Sequence, residues 1–398
     1  MTDPAPLRVL LYTHESYGLG HLKNTLALTR HLAKHRPEMR QLIVTGAALP
    51  HPFVLPEDAD YVKLPSVTKL GPERYGARCL PESWEDTWAL RRDIVLATAE
   101  AVQPHVLIAD NLPHGHCGEL RPALRRLKEA GRTLLVAGLR DVIGDPEWVQ
   151  GFWTRHGVYE LLDDVYDLVL VYGQQDVHDP VSAYRLSERA AAKTRFVGYL
   201  QREPVGPPPG ELRAELGIGG GPLVLVLAGG SGDEQLLEAA VDAARLDGCG
   251  GASWLLVPGP LAPVELQRRA RSWAAAGSNV HMLPYVADAA AYVAAANAVV
   301  TRGGYSTACE ILSLAKPAVV IPDEDENREQ LIRARAFAER GLARMIPPQE
   351  LSARRLLGEV AGLLDGSPRT PATPLRLDGL DGVLAELESF LTPARTPA

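Results

Sequence analysis

The stretch LVLVLAGGSGDEQLLEAAVDAA, residues 223–244, is an apolar run that stops at a glycine loop and resumes as an amphipathic helix. The run Leu223–Ala228 does not alternate polar with apolar. A strand of that kind is buried on both faces, as in a parallel sheet covered by helices. The loop GGSGDEQ follows it, and then a helix over Leu236–Ala244. The same succession opens the chain, with a strand at Leu7–Tyr12, the loop THESYGLGH and a helix over Leu22–His35. More short apolar runs follow the first unit, at Leu42–Val44, Val106–Ala109, Thr133–Ala137 and Leu168–Tyr172. Others follow the second, at Trp254–Val257, Val280–Leu283, Ala298–Thr301, Ala318–Ile321 and Ala343–Ile346. Amphipathic segments such as GELRPALRRLKEAG and an alanine-rich helix around Asp288–Ala296 separate them. Strands alternating with helices predict the α/β class, here as two Rossmann-like, doubly wound domains in tandem.

With 398 residues the chain exceeds one ordinary core. The proline- and glycine-rich stretch REPVGPPPGELRAELG marks an interdomain linker. The expected division is an N-terminal domain over 1–200, a C-terminal domain over 201–370 and a proline-rich tail over 371–398. That tail ends in a helix, Gly382–Leu391, expected to cross back to the first domain. A net charge of −8 argues against a general nucleic-acid binder. No apolar run approaches the roughly 18 residues of a membrane span, and the N-terminus lacks the features of a signal peptide. Cys79, Cys117, Cys249 and Cys309 are scattered without a CxxC pair, which fits reduced thiols in the cytoplasm. A monomer and a dimer are both compatible with the sequence.

Each glycine loop stands at the carboxyl end of a strand, where open α/β sheets bind ligands. In GLGHLKN, Gly18 and Gly20 let a backbone approach a ligand, and His21 opens a helix. The positive end of a helix disfavours imidazolium, which suits a general base; a packed or capping histidine fits the same spacing. The dinucleotide fingerprint is absent, because Lys23 stands where its third glycine would be. In AGGSGDEQ, Gly229, Gly230 and Ser231 can cradle phosphate oxygens, although no Walker lysine follows. In TRGGYSTACEIL, Gly303 and Gly304 end a strand, and Ser306 or Thr307 can cap the next helix. Thr307 and Glu310 also fit a capping box, which would turn the carboxylate back to the helix end. The alternative has Glu310 accepting the two hydroxyls of a vicinal diol. In IPDEDENREQL, Gln330 opens a helix, and Asp323-Glu324-Asp325 has the form of a metal signature more often found in solvated loops. In ADNLPHGHCGEL, Asp110, His114 and His116 read as a cleft loop rather than a zinc site, there being no second ligand cluster. Arg140 and Asp141 read as a structural ion pair or as cleft groups. His14, Asp110, His114, His116 and Arg140 are the candidates on the acceptor side.

Together, GLGH, GGS and RGGYSTACE with PAVVIPDEDENREQ resemble the GT-B glycosyltransferases of family 28, the group of the MurG-type peptidoglycan enzymes. The first half, with GLGHLKNTLAL, GLRDV and VLVYGQQDVHDP, is more similar to a bacterial subgroup of predicted glycosyltransferases. The resemblance spans most of residues 7–364. It implies a GT-B fold, two Rossmann-like domains facing a central cleft, with a nucleotide-diphosphate sugar held by the C-terminal one. UDP-N-acetylglucosamine is the favoured donor. By position, Gly229, Gly230 and Ser231 would contact phosphate, with Ser306 and Thr307 beside the diphosphate. Glu310 would hold the ribose, Gln330 the donor sugar, and His21 would be the base. Two departures stand out: the first loop has only Gly18 and Gly20, and Arg328-Glu329-Gln330 replaces the family's His-Asp-Gln-like triplet.

The implied reaction is inverting hexosyl transfer by direct displacement, with no obligatory metal or cofactor and with helix amino termini stabilising the leaving diphosphate. The domains would close about a hinge at Pro204–Gly210. The donor is a small molecule and the acceptor is left open, with no nucleic-acid or integral-membrane partner expected. A nucleotide-sugar hydrolase or 2-epimerase on the same fold, or a non-catalytic nucleotide-sugar binder, are the rival readings.

Overall fold

The structure is a computed structural model, and it describes residues 6–15, 18–48, 54–71, 74–246, 251–276, 279–323, 327–365 and 374–391. The chain divides into two compact units, the first of Met1–Leu200 with Leu375–Ala398 and the second of Gln201–Pro374.

Unit 1 begins with strands β1 (Arg8–Thr13), β2 (Arg40–Thr45) and β3 (Ala59–Lys63), with helix α1 (Gly20–His35) between the first two. A small antiparallel hairpin, β4 (Val67–Gly71) and β5 (Arg74–Ala77), precedes α2 (Trp84–Val102) and β6 (Val106–Asp110). The unit continues through α3 (Arg121–Ala130), β7 (Leu134–Arg140), α4 (Pro146–Arg155), α5 (Val158–Glu160) and β8 (Leu168–Tyr172). Two short helices, α6 (Pro180–Ala183) and α7 (Glu188–Ala192), lead to β9 (Thr194–Phe196). The parallel sheet has the order β3-β2-β1-β6-β7-β8-β9. Val9 to Thr13 are all buried, which is why β1 reads as an unbroken apolar run.

Unit 2 repeats the plan with α8 (Pro209–Glu215), β10 (Leu223–Leu227), α9 (Glu234–Arg245), β11 (Ser253–Val257) and α10 (Val264–Ala276). Then come β12 (Val280–Met282), α11 (Ala289–Ala295), β13 (Ala298–Thr301), α12 (Tyr305–Ser313) and β14 (Ala318–Val320). It ends with α13 (Glu329–Glu339), β15 (Arg344–Met345) and α14 (Ala353–Leu364), and its sheet has the order β12-β11-β10-β13-β14-β15.

In each unit the chain leaves the first strand in one direction and later returns to pair on its other side. The reversal falls between β1 and β6 in unit 1, and between β10 and β13 in unit 2. The loops leaving such a pair diverge, so a crevice opens at the carboxyl ends of those two strands.

Unit 1 is closed by α15 (Gly379–Leu391), which buries Val383 and Leu387. Its first turn sits tightly on the chain after β9. A Cβ at Gly379 would stand 2.5 Å from the Gly198 carbonyl oxygen, and one at Gly382 would stand 2.8 Å from that of Val197. Arg36 at the end of α1 reaches Glu388 at 2.8 Å.

The stretch Pro204–Gly210, expected as a hinge, lies in unit 2. Asp288 Oδ2 accepts the backbone N–H groups of Val205 and Gly206 at 2.6 and 2.7 Å, and Ser313 Oγ accepts that of Arg202 at 2.9 Å.

Candidate active site

The crevice of unit 1 collects side chains from three strand ends. His14 and Glu15, which follow β1 directly, are buried. Asp110 ends β6, and Arg140 ends β7 with its N–H on Asn111 Oδ1 at 3.1 Å. His21 is the second residue of α1, and its Nδ1 lies 2.6 Å from Asp110 Oδ2. Its ring centroid is 4.0 Å from that of His14. Burial, and then the positive charge of Arg140, hold His21 well below the ordinary histidine range. Burial and the neighbouring His21 do the same to His14. A neutral imidazole beside a carboxylate carries its proton on the nitrogen facing it. Nδ1 of His21 therefore donates to Asp110, and Nε2 is left as a proton acceptor.

Sequence reasoning missed Glu15. Its Oε1 accepts the Leu22 N–H at 2.6 Å and caps α1, whose own N-cap residue Leu19 has no side-chain cap bond. Burial pushes its carboxyl up to about 8, against the smaller opposing effects of the Leu22 N–H and Arg140. A carboxyl at the crevice thus keeps its proton near neutral pH. Gly18 has open space where a Cβ would stand, so packing does not demand a glycine there.

The loop after β6 is held from several sides. Glu119 is fully buried and takes Arg91 in a bidentate pair at 2.6 and 2.5 Å. It also accepts the Tyr12 hydroxyl at 2.7 Å, and that hydroxyl in turn accepts the His116 N–H at 2.8 Å. The two histidines of this loop face different surroundings. The His116 ring packs on Tyr75 and Trp84, at 4.3 and 5.8 Å, and still reaches His14 electrostatically. The His114 ring is 1% exposed and packs against Phe152 and His156, at the wall of a groove of about 570 Å³ between α2 and α3. Burial takes both well below the histidine range, to about 3. His14, His21, Asp110 and Arg140 therefore form one group, with His116 at its edge. His114 is a packed side chain. Asp141 is structural: its carboxylate accepts the Val142 N–H at 2.7 Å and the Tyr199 hydroxyl at 3.2 Å.

The crevice of unit 2 lies between the loops after β10 and β13. Gly303 has φ +77°, and a Cβ there would stand 2.6 Å from Val320 Cγ1, so both conformation and packing call for glycine. α12 starts directly after it. Its N-cap is Gly304, no side chain caps it, and its first turn carries no acidic residue. This corrects the capping box, because Ser306 and Thr307 are the second and third helical residues, inside the helix rather than ahead of it. The carboxylate of Glu310, 3% exposed, sits a turn further along. Ser306 Oγ is buried without a hydrogen-bond partner among the described residues.

The amino terminus of α9 differs. Asp233 caps it by accepting the Leu236 N–H at 2.7 Å, and Glu234 adds a second carboxylate. An anion is less welcome there than at the uncapped α12. In the loop before it Gly229 has φ +83°, and a Cβ there would meet nothing within 4 Å among the described residues.

Arg302, also missed from sequence, joins the strand-end loops. It pairs with Asp233 at 2.5 Å and with Asp323 at 3.3 Å. The Asp323 N–H goes to Gln330 Oε1 at 2.9 Å, so the amide of Gln330 braces this loop, while Glu324 and Asp325 lie outside the described residues. Arg333, 1% exposed, donates to the Gly303 carbonyl at 3.2 Å and stands 5.5 Å over the Tyr305 ring.

Residues 223–374 match the model of the glycosyltransferase family 28 C-terminal domain. A UDP-N-acetylglucosamine–N-acetylmuramyl-(pentapeptide) pyrophosphoryl-undecaprenol N-acetylglucosamine transferase of Nocardia farcinica is 32% identical over 155 residues, 39% of this chain and 40% of that protein. The chain thus aligns with about two fifths of the length of the curated relatives it matches. A solved structure assigned as a UDP-N-acetylglucosamine 2-epimerase from Listeria monocytogenes covers 99% of both chains, with a TM-score of 0.64 and 12% identity. MurG of Acinetobacter baumannii covers 90% of this chain and 91% of its own, with a TM-score of 0.55 and 13% identity. At such identities these likenesses concern the fold, which is of the GT-B type with two Rossmann-like units.

Proposed function

We propose that this chain, a family 28 glycosyltransferase by its C-terminal unit and its GT-B fold, moves a sugar from a UDP-sugar to an acceptor nucleophile with inversion. UDP-N-acetylglucosamine is the first donor to try, because the curated relatives are named for that sugar. The observation that carries the reading is the uncapped start of α12 at the strand reversal of the unit matching the family, with buried Glu310 on the same helix.

On this reading the diphosphate sits at the first turn of α12, at Gly303, Gly304, Ser306 and Thr307. The backbone of Gly229, Gly230 and Ser231 borders it. Amides fixed in place meet the charge that grows as the diphosphate leaves, and need no reorganisation to do so. Glu310 accepts the ribose hydroxyls, and Gln330 keeps its amide N–H groups for the donor sugar while its oxygen braces the loop. In unit 1, His21 Nε2 takes the proton of the acceptor as it attacks the anomeric carbon. Asp110 orients the ring and stabilises the imidazolium that results. Arg140, Gly18 and Gly20 line the acceptor side with His14 and His116. The scattered cysteines, none in a CxxC pair, fit a cytoplasmic enzyme.

The test is a thermal-shift screen of nucleotides and nucleotide sugars, followed by turnover with the best donor and an acceptor panel. Stabilisation by UDP and by one UDP-sugar, with glycosylated product formed only when acceptor is present, is the expected result. UDP release without acceptor would instead make it a hydrolase, and conversion of the donor sugar itself an epimerase. Binding without any turnover would leave a nucleotide-sugar binder.

A further inference from the structure

Three side chains meet where the first and last helices of unit 1 touch. His31 and His35 stand one turn apart on α1 and so share a face, and Asp381 comes from the first turn of α15. The imidazole centroids are 4.4 Å apart. His31 Nε2 lies 3.1 Å from Asp381 Oδ1, and one donor atom from each of the three residues lies within 4.8 Å of the others.

Ligand atoms around a tetrahedral ion at about 2.0–2.1 Å are separated by roughly 3.3 Å. The three donors are close enough that side-chain torsions alone complete the approach. His35 and Asp381 are exposed, while His31 is more enclosed. The backbone supports the arrangement independently. The close seats of Gly379 and Gly382 against the Val197 and Gly198 carbonyls fix the register of α15, and Asp381 lies between those glycines. A simple His31–Asp381 ion pair has no need of a second imidazole against the first, and two adjacent imidazolium rings would repel. A divalent ion uses both rings in their neutral form.

We propose that His31, His35 and Asp381 bind a divalent transition-metal ion of the zinc class, with water completing its shell. The ion clasps the last helix of unit 1 to the first. Two imidazoles and one carboxylate suit zinc, cobalt or nickel, whereas calcium and magnesium favour all-oxygen sites.

The test uses the full chain, stripped with a chelator and titrated with zinc chloride by calorimetry, beside His35→Ala and Asp381→Asn. Neither substitution touches the core, and equal melting temperatures of the metal-free proteins verify that. One zinc per wild-type chain is expected, with the dissociation constant raised at least about tenfold in each variant. Zinc should also raise the melting temperature of the wild type and slow amide exchange in α15, with both effects lost in the variants. Unchanged zinc affinity in His35→Ala would overturn the proposal. So would the absence of saturable binding, or equal binding of calcium.

Discussion

Replacing Glu15 by glutamine should make the protein more resistant to denaturation at high pH and leave it nearly unchanged at low pH. The side chain is 3% exposed, and burial raises its carboxyl from the ordinary 4.5 to about 8. At about 1.4 kcal/mol for each tenfold change in proton affinity, that rise corresponds to about 5 kcal/mol between the two protonation states. The folded protein holds the proton more tightly than the unfolded chain. Its contribution is therefore fully present below pH 4.5 and is lost as pH rises through about 8. Glutamine keeps the acceptor for the Leu22 N–H and never ionises. Urea unfolding of both proteins at a series of pH values gives the difference directly. Between pH 5 and 8 the variant should gain on the wild type by about 1.4 kcal/mol per pH unit, levelling off above pH 8. His14 and His21 have lowered values and contribute a trend of opposite sign, but they do so in both proteins and cancel from the difference. A difference that stays flat with pH would refute the reasoning, because Glu15 would then be ionised in the folded state throughout.

Asp110→Asn should lower kcat by about two to four orders of magnitude with donor affinity unchanged, since an amide no longer holds the Nδ1–H tautomer of His21 or stabilises its imidazolium; turnover at the wild-type rate would remove the pair from the mechanism. Glu310→Ala should weaken UDP binding about 100-fold by calorimetry, through the loss of hydrogen bonds to a charged acceptor at about 1.5–3 kcal/mol each. Unaltered UDP affinity would separate Glu310 from the ribose.

Much of the architecture was readable from runs of five or so apolar residues. Strands such as Leu168–Tyr172 are covered on both faces, so every position carries the same signal. The glycine loops were readable because Gly229 and Gly303 have positive φ. The hairpin of β4 and β5 was not, because its residues are mostly half-buried or exposed and pair with each other rather than with a core. Helix α2 escaped for a related reason: few of its residues are buried, and one of them is the charged Arg91, whose partner Glu119 lies far along the chain. Local pattern misled at Thr307 and Glu310. Their spacing satisfies a capping box, but the helix has already begun at Tyr305, straight after the turn of Gly303 that Arg333 supports from thirty residues away. Glu15 and Arg302 gave no signal, since the role of each depends on which strand ends the sheet brings together.

The return of α15 to unit 1 gives the chain an order of completion. Residues 201–374 are synthesised between the body of unit 1 and the helix that closes it. On the ribosome the nascent first unit therefore waits, with the surface around Val197, Tyr199 and α1 uncovered, until the whole second unit has emerged. A product released early lacks that cover and exposes apolar surface that chaperones and proteases recognise. Helix α15 thus covers that surface only after residues 201–374 have been made.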